Sequence, residues 1–248
     1  MLYPPSTPSI VLWLNRHTSA PLLILTGTSL ATSHSSTASI FRCHIGTDSL
    51  SLARLGARSV TGLDFSDRSI HQARSLAQEC LESGGGELHF VQADVYSALR
   101  VLTSGGFDLV YTGIGGSLLA SVHREMGRYA HPVVWTLDES DAGGLSLKHP
   151  YFESGEPVLR DHKASYVGTD AWGDFENFVT GEFNHGLGET VQALLDVGMR
   201  VTGLKEHDSL PWRHLPDHMG PRENGEWTLK EKPERLPHSY TLQAWKPE

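Results

Sequence analysis

Short apolar runs alternate with amphipathic stretches through the middle of the chain. Ser59–Asp64, Leu88–Ala93 and Phe107–Thr112 have the length and composition of buried strands. Ser49–Leu55, which precedes the first of these runs, and the residues that follow Ser66, between the first and the second, have the pattern of helices. Strands that alternate with helices in this way predict an α/β fold with a mostly parallel sheet and helices on both of its faces.

A cap and several glycines set the limits of these helices. Gly56 follows the first helix at the position where a C-terminal glycine is expected, and glycines 84–86 end the second helix. Ser66 and Asp67 form a good N-terminal cap for the second helix. The inward face of that helix is predicted to hold Ile70, Ala73, Leu76, Ala77, Cys80 and Leu81.

The connection after the fourth strand is short. About 16 residues separate Gly116 from Pro132, close to the lower limit of about 10–12 residues for a crossover between parallel strands. Leu118–Met126 is a short amphipathic piece, and Val133–Leu137 is the expected fifth strand. We therefore predict that the crossover after the fourth strand is shortened.

The last part of the chain alternates again between helical and extended patterns. We predict a helix over Gly188–Val197, a strand over Arg200–His207, a loop-rich stretch over residues 210–234 and a final strand over Ser239–Trp245. An insertion at about residues 139–183 precedes these elements. The insertion has possible short strands near Ala164–Val167 and Glu176–Phe183.

Residues 1–39 do not share these patterns. Their charged residue is Arg16, and serine and threonine are abundant. They lack the basic start and the longer apolar stretch of a secretory signal. We predict an atypical or poorly ordered leader over residues 1–39, followed by one domain over residues 40–248.

Composition excludes several classes of function. The formal net charge of -9 and the absence of a basic cluster argue against a nucleic-acid surface. The two cysteines, Cys43 and Cys80, are too few for a disulfide framework, so we expect a reducing, cytoplasmic location. No apolar run approaches the roughly 20 residues of a membrane-spanning helix.

The turn after the first strand has the features of a nucleoside site. Cys43–Asp48 contains Gly46, which lets a backbone approach a ligand closely, and a helix begins just after it. Asp64 ends the next strand about 20 residues further on, the usual distance for an acid that binds ribose hydroxyls. A pyrophosphate needs more glycines than this turn has. The pattern therefore favours S-adenosylmethionine over a nicotinamide cofactor.

The chain resembles class I S-adenosylmethionine-dependent methyltransferases. The resemblance lies in Cys43–Ala57 and Thr61–Ser66, and more narrowly in a subgroup whose first motif is Cys-His-Ile-Gly-Thr-Asp. It continues over residues 90–96, 107–115, 131–138, 184–189 and 206–213. The resemblance implies a Rossmann-like sheet whose last strand is inserted antiparallel, as a hairpin with the strand before it.

The resemblance also implies S-adenosylmethionine as the cofactor. In such a site Asp94 faces the adenine amino group, although Asp94 is also placed to cap a helix that begins near Val95. His44 either bonds the methionine carboxylate or packs, and Tyr111–Ile114 borders the methyl group. The predicted cofactor-binding residues are Cys43, His44, Gly46, Thr47, Asp64, Phe65, Asp94, Val95, Thr112 and Gly113.

Three residues are candidate bases for an acceptor hydroxyl. They are His185, His207 and Asp208, and the alternative for each is a bond to loop backbone. Methyl transfer itself depends mainly on alignment, so a neutral amine needs no base. His207, His214 and His218 do not form a tidy ligand set, because Pro211 and Pro216 break any helix that would align them, and we expect no metal.

The predicted function is transfer of a methyl group to a small-molecule acceptor. The aromatic residues of the insertion either line a pocket for an aromatic acceptor or form a small hydrophobic core of the insertion itself. These residues are Tyr151, Phe152, Tyr166, Trp172, Phe175 and Phe178. The alternatives are a catalytically impaired relative, because of the shortened crossover, and a nicotinamide-dependent oxidoreductase. The oligomeric state is not predicted.

Overall fold

The computed structural model describes residues 11–13, 21–23, 36–80, 85–103, 106–112, 124–161, 179–245 and 247. Seven strands form the central sheet in the order β10-β13-β7-β6-β3-β4-β5. Strands β3 to β7 run parallel, and β13 pairs antiparallel with both β7 and β10. The bounds of these strands are β3 Thr37–Phe41, β4 Ser59–Asp64, β5 Glu87–Gln92, β6 Leu109–Thr112, β7 Arg124–Ala130, β10 Arg200–His207 and β13 Ser239–Trp245.

Helices and small ribbons complete the described structure. The helices are α1 Thr47–Arg54, α2 Asp67–Cys80, α3 Ala98–Val101 and α4 Leu187–Asp196. Three antiparallel two-stranded ribbons pair β1 Val11–Trp13 with β2 Pro21–Leu23, β8 Val158–Asp161 with β9 Val179–Glu182, and β11 Met219–Pro221 with β12 Trp227–Leu229. Single 3-10 turns lie at Val95–Ser97, Val134–Thr136 and Pro233–Arg235.

The predicted Rossmann-like fold is confirmed. The last strand is inserted antiparallel between β7 and β10, and the first helices pack on the sheet through a buried cluster that includes Ile40, Leu52, Val60 and Ile70. Strand β3 begins at Thr37, so the sheet starts before the boundary that we placed at residue 40. Apart from two short strands, residues 1–35 lie outside the described residues.

The prediction of the fifth strand was wrong. The fifth strand is Arg124–Ala130, which pairs in parallel with β6. Residues 113–123 separate the two strands in the sequence. Residues 133–137 leave the sheet after Pro132, and Val134 and Leu137 pack instead against Leu210 and neighbouring residues. A short apolar run fits any buried environment, so its pattern alone did not identify a strand. Residues 124–126 of the predicted Leu118–Met126 piece lie in β7, and the rest lie outside the described residues.

The insertion is partly described. Strand β9 falls within the predicted Glu176–Phe183, whereas the pattern did not predict β8. The predicted strand Ala164–Val167 lies outside the described residues. Helix α4 matches the predicted helix closely, and Gly198 follows it with a φ of 79°, a left-handed conformation that suits glycine.

Candidate active site

The turn after β3 holds an unusual backbone. Arg42 and His44 have φ values of 55° and 50°, in the left-handed region that side chains other than glycine rarely adopt. Gly46 has a φ of 80°, and a Cβ there would lie 2.8 Å from the ring of Phe90 and 2.9 Å from Ala73. Glycine at this position is therefore required both by the turn and by the packing beneath it.

Asp64 holds this turn in place. Its Oδ2 accepts a hydrogen bond of 2.9 Å from the backbone N–H of His44, and its Oδ1 accepts one of 2.9 Å from Ser66. The side chain is buried at the carboxyl end of β4. A carboxylate offers about four lone-pair positions, so two remain for ligand hydroxyls. Asp64 lies where the sequence predicts it, beside the first turn.

Cys43 is a buried thiol at the start of the turn. Its N–H donates to the carbonyl of Leu63 at 3.0 Å, and the side chain is 4% exposed. Burial, followed by the nearby charge of Asp64, raises the pKa of the Cys43 thiol to about 12. The residue is a neutral packing group, in agreement with its predicted place at the strand end.

The predicted adenine residues follow β5. The exposed Asp94 caps the 3-10 turn that begins at Val95, where it accepts bonds from the N–H and the hydroxyl of Ser97 at 2.8 and 2.9 Å. These bonds lower the pKa of the Asp94 carboxyl. The capping alternative is therefore present, and it leaves lone pairs on both oxygens for a second role.

The remaining predicted cofactor residues lie around the same edge. Thr47 begins α1, and Phe65 is 67% exposed just after Asp64. Thr112 is buried at the end of β6, where its hydroxyl contacts the hydroxyl of Tyr129. Gly113 lies outside the described residues.

A cavity of about 410 Å³ opens at this edge of the sheet. Its cofactor side, as we call it, consists of Phe41, Arg42, Val95 and Thr112. Its acceptor side comes from β7, β13, the loop after β7 and the insertion. The acceptor side contains the aromatic residues Tyr129, Trp135, Phe183 and Tyr240 and the polar residues His149, Arg160, Glu182, Asn184 and His185. The volume is in the range of small-molecule sites, about 300–1,000 Å³.

The aromatic lining differs from the expected set. Tyr151 and Phe152 do not line the cavity, because the hydroxyl of Tyr151 accepts the N–H of Leu187 at the start of α4 and Phe152 is 68% exposed. Tyr166, Trp172, Phe175 and Phe178 lie outside the described residues. Tyr129 and Tyr240 face each other across paired strands with ring centroids 5.1 Å apart, which a linear pattern does not reveal.

Arg160 connects the insertion to the loop after β7. It is 9% exposed, its Nη2 donates to the carbonyl of Trp135 at 2.7 Å, and its guanidinium lies 5.5 Å from the centre of the Trp135 ring. Its Nη1 also donates to Glu139, and its Nε lies 3.1 Å from Glu182. The sequence analysis missed this residue. Its available signal was a basic residue inside the short extended run of β8.

The candidate bases are placed differently from one another. His185 lines the cavity, and its Nδ1 lies 3.1 Å from Oε2 of Glu153. His207 and Asp208 are not among the residues that line the cavity. The Nε2 of His207 lies 2.7 Å from the hydroxyl of Thr241, and Asp208 forms a bidentate ion pair with Arg222 at 2.6 and 3.0 Å. That ion pair lowers the pKa of the Asp208 carboxyl.

Two absences apply to the part of the chain that the structure describes. Among those residues, no group of three or more His, Cys, Asp or Glu side chains is arranged to hold a metal ion. No helix within the same ranges is both long and apolar enough to cross a membrane. The cytoplasmic location stays a prediction.

The comparisons with known proteins concern the fold and the type of domain. Residues 41–132 match the profile of a family described as a methyltransferase domain. No curated protein matches the chain. The structure is similar to that of a protein from Listeria monocytogenes described as an S-adenosylmethionine-dependent methyltransferase, with 18% identity, coverage of 86% of this chain and 92% of that one, and a TM-score of 0.55. The chain has the class I methyltransferase fold.

Two further methyltransferase structures show the same likeness. One, from Mesorhizobium loti, has 16% identity, 85% and 91% coverage and a TM-score of 0.53. The other, from Methanosarcina mazei, has 15% identity, 87% and 94% coverage and a TM-score of 0.52. The domain match supports a methyltransferase. The narrower subgroup with the Cys-His-Ile-Gly-Thr-Asp motif stays a prediction.

Proposed function

We propose that this protein transfers a methyl group from S-adenosylmethionine to a small acceptor that binds in the cavity of about 410 Å³. The observation that supports the proposal is the continuity of this cavity. It joins the carboxyl ends of β3 and β6, where the cofactor is expected, to a lining rich in aromatic side chains. A planar aromatic acceptor fits such a lining best.

We assign the cofactor site to the residues of the sheet edge. Asp64 would accept bonds from the ribose hydroxyls, while Asp94 and Val95 would hold the adenine. The turn at Cys43, His44, Gly46 and Thr47 would approach the methionine portion, Phe65 would flank the ribose, and Thr112 and Gly113 would border the methyl group. Bound S-adenosylmethionine supplies an electrophilic methyl carbon, and these residues align it with the acceptor.

We propose His185 as the base when the acceptor is a hydroxyl. Oε2 of Glu153 can accept a hydrogen bond from the protonated Nδ1 of His185, and in this tautomer Nε2 carries no proton and can take that of the acceptor. Nε2 of His185 would take the proton of the acceptor hydroxyl as its oxygen receives the methyl group that S-adenosylmethionine would supply. His207 and Asp208 remain predicted site residues. Their bonds to Thr241 and Arg222 favour a structural role.

Titration with S-adenosylhomocysteine tests the cofactor site. We expect micromolar binding by the native chain and a loss of at least about 100-fold in Asp64→Ala, because that change removes the ribose acceptor and the support of the turn. His185→Gln is the matched variant, since it should bind S-adenosylhomocysteine normally and yet lose transfer of a labelled methyl group to hydroxyl acceptors. Unchanged affinity in a folded Asp64→Ala variant would contradict the assignment.

A further inference from the structure

Arg42 lies on the cofactor side of the cavity. It follows β3 directly, and its side chain is exposed and lines the cavity together with Val95 and Thr112. Its position is set by backbone contacts on its C-terminal side. Cys43 N–H bonds Leu63 O, and His44 N–H bonds Asp64. The guanidinium is therefore attached to a fixed point of the sheet edge.

The backbone at this point is strained. The φ values of 55° at Arg42 and 50° at His44 place two residues that carry side chains in a conformation that is sterically unfavourable for L-amino acids. Strain of this kind that the surrounding structure maintains is concentrated at ligand sites.

The other charged groups of the cavity are already engaged. Arg160 lies against Glu139 and Glu182, and His185 lies against Glu153. Burial, followed by the charge of Arg160, lowers the pKa of His149, which is therefore neutral at pH 7. Within the described residues, the structure gives no hydrogen bond or ion pair to the Arg42 guanidinium, so this cation is available to a ligand.

We propose that Arg42 binds the carboxylate of the methionine portion of the cofactor, an inference that rests on the proposed function. Asp64 and Asp94 account for the ribose and the adenine, and both are acids, which leaves the anionic end of the cofactor without a cation. A guanidinium suits a carboxylate because its paired N–H groups match the two oxygens. The positive sulfonium lies at the other end of the methionine chain, away from Arg42.

This assignment differs from the expectation for His44. The sequence suggests His44 as the carboxylate ligand, but Arg42 carries a full charge at any physiological pH. Arg42 also shares the cavity wall with Thr112, which borders the expected methyl position. The two residues therefore bracket the methionine portion from its two ends.

Comparison of two ligands distinguishes binding of the carboxylate by Arg42 from a contribution of Arg42 to binding of the nucleoside. S-adenosylhomocysteine carries the carboxylate, whereas 5′-methylthioadenosine has the same nucleoside and thioether but lacks the amino-acid group. We expect Arg42→Gln to weaken S-adenosylhomocysteine by about 10- to 100-fold in calorimetric titration, the range for a charge-assisted pair. The affinity for 5′-methylthioadenosine should remain within about twofold.

Two further variants complete the experiment. Arg42→Lys keeps the charge without the paired geometry and should recover part of the affinity for S-adenosylhomocysteine. Arg68→Gln makes the same chemical change on the exposed surface of α2, away from the cavity. It should change the affinity for neither ligand. Near-native melting temperatures would show that each variant is folded.

The outcomes distinguish this inference from the proposed function. An equal loss for both ligands in Arg42→Gln, or no loss for either, overturns the role of Arg42 and leaves the methyltransferase assignment intact. Binding of neither ligand by the folded native chain overturns the proposed function, and the role of Arg42 fails with it. A loss confined to S-adenosylhomocysteine supports both.

Discussion

The cofactor side and the acceptor side of the cavity are held by contacts of different kinds. On the cofactor side, backbone N–H groups of the turn bond to Asp64 and Leu63, and the turn lies on a buried apolar cluster. On the acceptor side, side chains connect segments far apart in the chain, as when Asn184 donates to the carbonyl of Pro132 at 3.0 Å. Local backbone geometry therefore shapes the cofactor side, whereas side-chain hydrogen bonds and ion pairs between distant segments shape the acceptor side.

This difference has a consequence for how each side tolerates change. Backbone bonds survive most substitutions of surface residues, so the cofactor side should depend on a few glycines and one acid. A clamp such as Arg160 depends on one side chain, and several bonds disappear when that side chain is replaced. Three predictions test this comparison, in order of decreasing expected effect.

The largest effect is expected from Arg160→Met. This change removes the guanidinium that pairs with Glu139 and Glu182. Breaking a buried ion pair costs about 3–5 kcal/mol, and the lower end applies here because the two glutamate side chains are 31% and 32% exposed. We expect the free energy of unfolding in urea to fall by about 3 kcal/mol, while S-adenosylhomocysteine affinity changes by less than about twofold. Arg160→Lys is the control and should lose less stability. A matching loss of cofactor affinity would show that the two sides are not independent.

A smaller effect is expected from Gly62→Ala in β4. A Cβ there would lie 2.8 Å from both Sγ of Cys43 and the ring of Phe90, so the packing under the turn must shift. Overpacking of this kind costs about 1–3 kcal/mol, and thermal unfolding should report it together with weaker cofactor binding. Gly203→Ala in β10 is the matched control, because its nearest neighbours lie at 3.4 Å or more. Equal effects at both positions would refute the comparison.

The effect that is smallest near neutral pH concerns the Cys43 thiol, whose contribution to stability changes only above pH 9. The unfolded thiol loses its proton near pH 9, whereas the folded thiol keeps its proton until a pKa of about 12. The unfolded state therefore binds fewer protons between these values, and stability falls as pH rises from 9 towards 12. Below pH 9 the contribution of the thiol is fully present. Urea unfolding across this window should show a shallower decline in Cys43→Ala than in the native chain, and parallel declines would contradict the raised pKa.

The elements that the sequence predicts well are those with unambiguous local patterns. Strands β4, β10 and β13 have the predicted bounds, because clear turn signals flank them. Strand β7 was misplaced because its sequence is largely polar, and its partners β6 and β13 come from distant parts of the chain. Its pairing with those strands is a tertiary effect that a local pattern does not contain.

The site divides in the same way. The position of Asp64 beside the first turn followed from spacing along one βαβ unit, which places strand ends at a common edge. The positions of Arg160, Trp135 and Tyr240 in one cavity wall depend on how the insertion folds over the sheet. Nothing in the spacing of those residues indicates that they meet. A sequence therefore reveals a nucleoside site more readily than the acceptor that completes the reaction.

The central place of β13 has a consequence for how the protein forms during synthesis. Strands β3 to β6 leave the ribosome early and can assemble as neighbours, whereas β10 joins the sheet through β13. The acceptor side of the cavity can therefore form only after almost the whole chain has been synthesised, because Tyr240 lies in that last strand. Domains fold from the N-terminus as they are translated. A partly synthesised chain would therefore form the cofactor side of the site before the acceptor side.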